Sequence, residues 1–360
     1  MNTIKEYKCP CCSGAISFDV ESQKPKCLYC DTEFEIEALE DYNEELSTPE
    51  KEPEWNVSPG GAWQEGERES ISTYSCRSCG GEIAADETTA ATSCPFCGNP
   101  IIFTGKMSKE LRPDLVIPFK LDKNAAKEAL KKHFKGKKLL PKAFAKEAHL
   151  DEIKGIYVPF WLFSADTVSK TRYKGTRVSH WSDSKYNYTK TSHFSLIRGG
   201  RLDFRHIPVD ASSKIVNDLT ESLEPFYIND AVDFETAYLA GYLADRYDVS
   251  ADDGIIRANE RIKNSIISEF EKTTVGYIGT HCTSCNYDFL DNSSKYALFP
   301  VWLLNTSYKD KNYLFAMNGQ TGKMVGDLPL DMGAFWRWFL GAFGIAFALA
   351  SLIIYGIYFL

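Results

Sequence analysis

Three features of the sequence predict an α+β fold: a CxxC-x14-CxxC pattern written twice, a body that repeats one strand, helix and strand pattern, and a closing run of 23 uncharged residues. They divide the chain into a cysteine-bearing segment at 1–37, an acidic linker at 38–70 and a second cysteine-bearing segment at 71–105. An α+β body rich in antiparallel sheet follows at 111–330, then an apolar helix at 335–360.

The first segment carries Cys9 and Cys12, then Cys27 and Cys30; the second carries Cys76 and Cys79, then Cys94 and Cys97. A CxxC on a tight turn presents two sulfurs to one point. Two such turns joined by a short hairpin close a tetrahedron of thiolates about 2.3 Å from a zinc ion. Turn-forming neighbours support this geometry: Pro10 and Pro95 lie inside CxxC pairs, and Gly80, Gly81 and Gly98 follow them. Both segments therefore read as zinc ribbons, each with one structural Zn2+, because four cysteines leave no open position for a reacting water. Neither ribbon has the apolar residues for a core of its own, so metal binding is expected to drive its folding. A disulfide framework is disfavoured. The cysteines come in CxxC pairs, and the amino end MNTIKEYKCPCC lacks the apolar stretch of a secretory signal. Cys11 is the spare, able to stand in for Cys12, although the matched spacing selects Cys12.

The net charge of -8 disfavours a general nucleic-acid binder, but the distribution is uneven. Residues 31–54 hold eleven acids against one lysine, and residues 106–146 hold thirteen Lys or Arg against four acids. Segment 38–70 combines Glu, Pro, Ser and Gly with few aliphatics, a composition that predicts a flexible linker. Trp55 and Trp63 are its exceptions, expected to anchor on the protein's own body.

The body repeats itself, at about 111–210 and 235–330. IYVPFWLF at 156–163 matches ALFPVWLL at 297–304, aligning Pro159 with Pro300 and Trp161 with Trp302. Each copy is preceded by a strand-like run and a helix start, with Asp122 and Ser250 as caps. A pseudo-twofold body with the two Trp side chains in the core is the expectation. Gly199-Gly200 reads as the turn of a hairpin between two alternating runs. The second copy is longer, and the excess falls at HCTSCNYDF, so Cys282 and Cys285 read as an insertion. They offer two ligands toward a third zinc site, the other ligands having to come from elsewhere.

Trp338–Leu360 carries no charge, and as a helix it reaches about 34 Å, enough for a hydrocarbon core of about 30 Å. Trp336 and Trp338 flank Arg337 at one end; Tyr355 and Tyr358 sit at the other, as in interfacial belts. A single-pass C-terminal membrane anchor is expected, with the body placed in the cytoplasm by its thiolate sites.

No GxxxxGK[ST], GxGxxG, HExxH or GxSxG motif occurs. His180, His193 and His206 lie near Asp183, Asp203 and Asp210 but without ligand spacing. The expectation is a protein that is not an enzyme, with no small-molecule substrate evident. The lysines of KNAAKEALKKHFKGKKLLPK crowd one helix face, suiting a solvated surface, anionic headgroups or a phosphate backbone.

In order, CPCCSGAISFD with CLYC, YSCRSCGGEI with CPFCGNPIIF, VIPFKLDKNAA, IYVPFWLF and the hydrophobic C-terminal segment resemble the bacterial TFIIB-type zinc-ribbon membrane proteins of the YdjG type. The resemblance spans most of the chain. It implies metal ligation by the eight cysteines of the two ribbons and a non-enzymatic adaptor. It also implies recruitment of an SPFH-domain or PspA-like protein to the cytoplasmic face of the membrane, in a setting of membrane stress. The competing expectation is a nucleic-acid-binding protein tethered to the membrane.

Overall fold

A computed structural model describes residues 7–47, 52–86, 89, 93–107, 111–141, 144, 152–309 and 311–359. In chain order the elements are β1 (Ile16–Asp19), β2 (Lys24–Cys27), α1 (Ile36–Ser47), β3 (Ile71–Ser75), β4 (Glu82–Asp86), β5 (Ile102–Lys106), β6 (Leu115–Val116) and α2 (Lys123–Phe134). The long strands β7 (Lys154–Ser182) and β8 (Asn187–Asp210) follow, then α3 (Asn217–Ser222), β9 (Val232–Asp233), β10 (Leu243–Asp245) and α4 (Ala251–Glu271). The chain closes with β11 (Ile278–Tyr308), β12 (Lys311–Asn318), β13 (Met324–Gly326) and α5 (Met332–Phe359). This is an α+β fold rich in sheet.

The chain forms two compact units: Met1–Ser58, Phe163–Pro208 and Asp252–Ser294 make the first, and Pro59–Leu162, Val209–Ala251 and Lys295–Leu360 the second. They cut across the boundaries expected from the sequence, because β7 and β11 each contribute residues to both.

In the first unit, β7 is flanked by β8 and β11. Cross-strand side-chain bonds fix their neighbours: Thr167 Oγ1 donates to Leu202 O at 2.9 Å, and Thr176 Oγ1 to Ile278 O at 2.9 Å. Helix α4 presents Ala258, Ile262 and Ile266 at helical spacing, and the two isoleucines meet Ala165, Cys285, Leu202 and Phe204 in an apolar cluster. Burying that stripe is what holds the helix to the sheet.

Two expectations fail here. The β7–β8 turn lies at Asp183–Tyr186, not at Gly199-Gly200. Asp183 N donates to Tyr186 O, and the Asp183 carboxylate accepts from Lys185 N and Tyr186 N. An Asp side chain that binds its own turn competes well with a Gly pair. Gly199 and Gly200 lie inside β8; a Cβ on Gly199 would meet Ser169 O at 3.3 Å, so glycine there serves close strand approach. The described residues of segment 38–70 also differ from the flexible linker its composition predicts. Helix α1 buries Leu39 and Tyr42. Beyond it, Trp55 Nε1 donates to Asn259 Oδ1 at 2.8 Å, and its ring packs edge-on to Phe163 and Phe289. In the second unit, Trp63 packs edge-on to Phe234, and Glu67 pairs with Arg112 at 2.9 Å. A few aromatic and backbone contacts thus tie down a segment whose average composition is that of a loop.

The second unit is one sheet in the order β13-β12-β11-β7-β10-β4-β3-β5. Its pseudo-twofold is exact enough to pair atom with atom, and it is built by exchange. Trp302 Nε1 donates to Leu121 O at 2.9 Å, just before the Asp122 cap of the first copy. Trp161 Nε1 donates to Val249 O at 3.0 Å, one residue before Ser250 of the second. Pro159 O accepts from Ala211 N, and Pro300 O from Gly319 N. Ala211 O takes the N–H groups of Asp248 and Val249, as Gly319 O takes those of Lys120 and Leu121. Strand β6 of the first copy runs parallel to β11 of the second, and β10 of the second runs parallel to β7 of the first. Phe160 and Phe299 stack at 4.5 Å between the two. The register makes Asp245 the counterpart of Ile117 and Asp210 the counterpart of Asn318, all four buried.

Helix α5 begins at a capped end: Asp331 Oδ1 accepts from Ala334 N at 3.0 Å, and Phe335 N donates to Asp331 O. Over Met332–Ile357 it is long and apolar enough to cross a membrane, and its most apolar stretch is not buried against the protein.

Candidate metal centres

Four knuckles of one design build the two sites. In each, the N–H of the first cysteine bonds the carbonyl five residues on, and its own carbonyl accepts from the residue four on. Cys9 with Gly14 and Ser13, Cys27 with Thr32 and Asp31, Cys76 with Gly81 and Gly80, and Cys94 with Asn99 and Gly98 all follow this pattern. The fourth residue must adopt positive φ: Ser13 (64°), Asp31 (56°), Gly80 (69°) and Gly98 (76°). Glycine supplies that conformation without strain in the second ribbon, while the first uses residues with short polar side chains.

Antiparallel pairing brings the knuckles together. In the first ribbon β1 and β2 pair from Ile16 with Cys27 to Asp19 with Lys24. In the second, β3 pairs with both β4 and β5. The outcome is two groups, Cys9-Cys12-Cys27-Cys30 and Cys76-Cys79-Cys94-Cys97, with all sulfurs of a group within 4.8 Å of one another. The closest contacts are Cys12 with Cys27 at 3.4 Å, Cys76 with Cys97 at 3.5 Å, and Cys9 with Cys30 and Cys79 with Cys94 at 3.6 Å. Thiolates about 2.3 Å from a central zinc lie about 3.8 Å apart, whereas a disulfide needs about 2.05 Å. Both groups match the first spacing, so each could hold one zinc ion.

Backbone donors prepare the sulfurs for negative charge. Burial raises the Cys27 thiol, but N–H groups of Cys30 and Tyr29 outweigh it and hold the thiol at about 7. In Cys97, burial is again outweighed, by Asn99 N and Nδ2, and its thiol also stands at about 7. Cys9 and Cys94 are more enclosed, and burial pushes both thiols up. A metal is the natural counter-charge for such a set.

The surroundings of the two sites differ. Cys9 and Cys27 belong to a small cluster of their own with Ile16 and Phe34. Cys76 and Cys94 belong to the main core of the second unit, alongside Phe96, Ile156, Val158 and Phe299. Lys154 Nζ donates to Ser93 O at 2.7 Å, and Asn305 Nδ2 donates to Phe96 O, so side chains from β7 and β11 grip the last knuckle. Neither Lys154 nor Asn305 was signalled by the sequence, since both lie far from the cysteines and outside any motif.

Cys11 stays out of the ligand set. It is buried, its sulfur accepts from Ser195 N, and burial pushes its thiol up. Together with the bond from Lys174 Nζ to Ser13 Oγ, it docks the first ribbon on β7 and β8. Cys282 and Cys285 lie on β11, not in an inserted knuckle; both face the apolar cluster of Ile262 and Ile266, and Cys282 Sγ bonds Ser284 O. Among the described residues no third group of His, Cys, Asp or Glu is gathered for a metal. The histidines are dispersed: His180 Nδ1 bonds Thr189 Oγ1, and His206 N donates to Ser164 Oγ.

A sheet-rich α+β chain with two four-cysteine sites near its amino end and one unburied apolar helix near its carboxyl end fits a membrane-anchored zinc-binding protein. It is 35% identical over 350 residues to YdjG of Bacillus subtilis (strain 168), an uncharacterized protein, covering 97% of each chain. The chain belongs to the YdjG family. No family model matches it, and no solved structure matches it.

Proposed function

We propose that the protein is a zinc-dependent adaptor held in the cell membrane by α5, which recruits or scaffolds a protein partner at the cytoplasmic face. The observation that carries this reading is the first ribbon. Phe18, Val20, Leu28 and Tyr29 are exposed on a metal knuckle and its hairpin, a concentration of apolar side chains suited to a partner surface. The metal would fix the knuckle's shape, so the patch is presented rigidly and binding carries little ordering cost. Resemblance to the YdjG type supports an SPFH-domain or PspA-like protein as the partner.

The test is recovery of such a partner from solubilised membranes with Phe18→Ser and Leu28→Ser combined. Both side chains are exposed, so the variant should keep its fold and metal content. Partner recovery is expected to fall at least about tenfold, the loss of roughly 1.4 kcal/mol. Unchanged recovery with metal retained would remove the ribbon as the docking element.

A further inference from the structure

We infer that the end of α2 and the turn after it form a basic collar that binds anionic lipid headgroups at the N-terminal end of α5. This rests on the reading of α5 as a membrane span.

Three observations meet at one place. The first is charge: Lys131, Lys132, Lys135, Lys137 and Lys138 are all exposed. Over the same stretch, α2 carries Glu128 as its only acid. The second is position. Asp331 N, at the cap of α5, donates to Leu139 O at 2.8 Å, and Lys138 Nζ lies 4.2 Å from the centre of the Trp338 ring. The turn holding these lysines is therefore bonded to the first turns of α5. The third is what surrounds the contact. Phe335, Trp336, Trp338 and Phe339 are exposed around α5, and Arg337 projects among them. Tryptophan beside Lys and Arg is the side-chain chemistry of a headgroup layer, where an amphipathic ring sits at the boundary and the cation meets phosphate. Asp331, the acid at the start of α5, is engaged by Ala334 N and Gly333 N and faces the charges of Arg337 and Lys309, which hold its carboxyl below the usual range. It caps the helix and leaves the lysines as the outward charge.

Seating this turn against headgroups assigns the N-terminal end of α5 to the more anionic leaflet. It also sets the second unit at a fixed height on the membrane surface. Phospholipid headgroups are selected over nucleic acid because the lysines are continuous with the aromatic rim of an apolar helix, which a phosphate backbone would leave unmatched.

The experiment uses the full chain in nanodiscs of phosphatidylcholine alone, or mixed with phosphatidylglycerol. Acetylation rates at Lys131, Lys132, Lys135, Lys137 and Lys138 are read by mass spectrometry against Lys185, in the β7–β8 turn. The collar lysines are expected to react about fivefold more slowly in the anionic discs, with the difference erased by high salt. Equal rates in the two discs would overturn the inference. So would protection by an oligonucleotide in neutral discs with none from phosphatidylglycerol, which points to nucleic acid instead. Extraction of the protein from native membranes by alkaline carbonate would overturn the span itself. A carbonate-resistant protein with equal lysine rates overturns the headgroup contact alone.

Discussion

Asp245 is the residue that most sharply breaks the symmetry of its surroundings. Its counterpart in the other copy is Ile117, which directly follows β6, and both are buried. Burial raises the Asp245 carboxyl well above the ordinary range, and the charges of Asp210 and Asp248 add to the effect, while a bond from Ser212 opposes it. The folded chain therefore keeps a proton at pH values where the unfolded chain has released it. With more protons bound to the native state, stability is full at acid pH and falls as pH rises above the ordinary aspartate value toward the raised one. Each unit of upward shift corresponds to about 1.4 kcal/mol. Asp245→Asn removes this slope and keeps an acceptor for Arg246 N, which bonds Asp245 Oδ1 at 3.0 Å. The variant is expected to be more stable than the parent near pH 7 and equal to it near pH 4. Denaturant titrations at both pH values check this. A variant less stable at pH 7 would mean that the carboxylate is charged and paired in the native state. Nothing in the run LADRYDVS distinguishes this aspartate from its exposed neighbours; only its strand partners do.

At the level of elements, the two helix starts and the two Pro-x-Trp strands form a reciprocal lock. Trp302 bonds the carbonyl before Asp122, and Trp161 the one before Ser250, so each copy closes the helix entry of the other. Both rings are almost wholly buried, Trp161 at 1% and Trp302 at 5% exposure. Trp161→Phe and Trp302→Phe each remove one hydrogen bond and part of a ring, a cost of about 2 kcal/mol. Equal losses, within about 1 kcal/mol, are expected from thermal or chemical unfolding of the two variants. If one variant proves neutral, the equivalence is geometric only. The repeat itself and the Asp122 cap were legible in the sequence, because they rest on local side-chain chemistry. The exchange was not, because hydrogen bonding between Leu121 and Trp302 spans 181 positions with no covarying signal in a single chain. Similarly, HCTSCNYDF looked like an added knuckle because CxxC is usually a turn. In β11 the pair is extended and packs on α4 instead.

Across the whole molecule, the two metal centres have different reach. The first is bounded by its own small cluster, whereas Cys76 and Cys94 are part of the core that also holds Ile156, Phe160 and Phe299. Loss of metal from the second site should therefore disturb the second unit as a whole, while loss from the first stays within its ribbon. Cys94→Ser is expected to lower the cooperative unfolding temperature by more than about 5 °C, and Cys27→Ser to leave it nearly unchanged. Circular dichroism melts with zinc measured per chain would read the difference. The prediction fails if both variants melt alike at equal metal loss. Such a centre acts as a structural clamp on the sheet, which the spacing of its cysteines does not reveal.

The sequence alone determined the two four-cysteine groups and the apolar helix, since each depends on a few residues close in the chain. Four sulfurs at fixed spacing close a tetrahedron wherever they are placed, and an uncharged run of sufficient length is apolar in any setting. Tertiary structure decided that the second ribbon merges with the body sheet and that the two copies exchange strands. It also decided that the acidic segment is pinned by Trp55 and Trp63, and that Cys282 and Cys285 become core. Those outcomes depend on pairings between distant residues, whose energies exist only once the chain has brought them together.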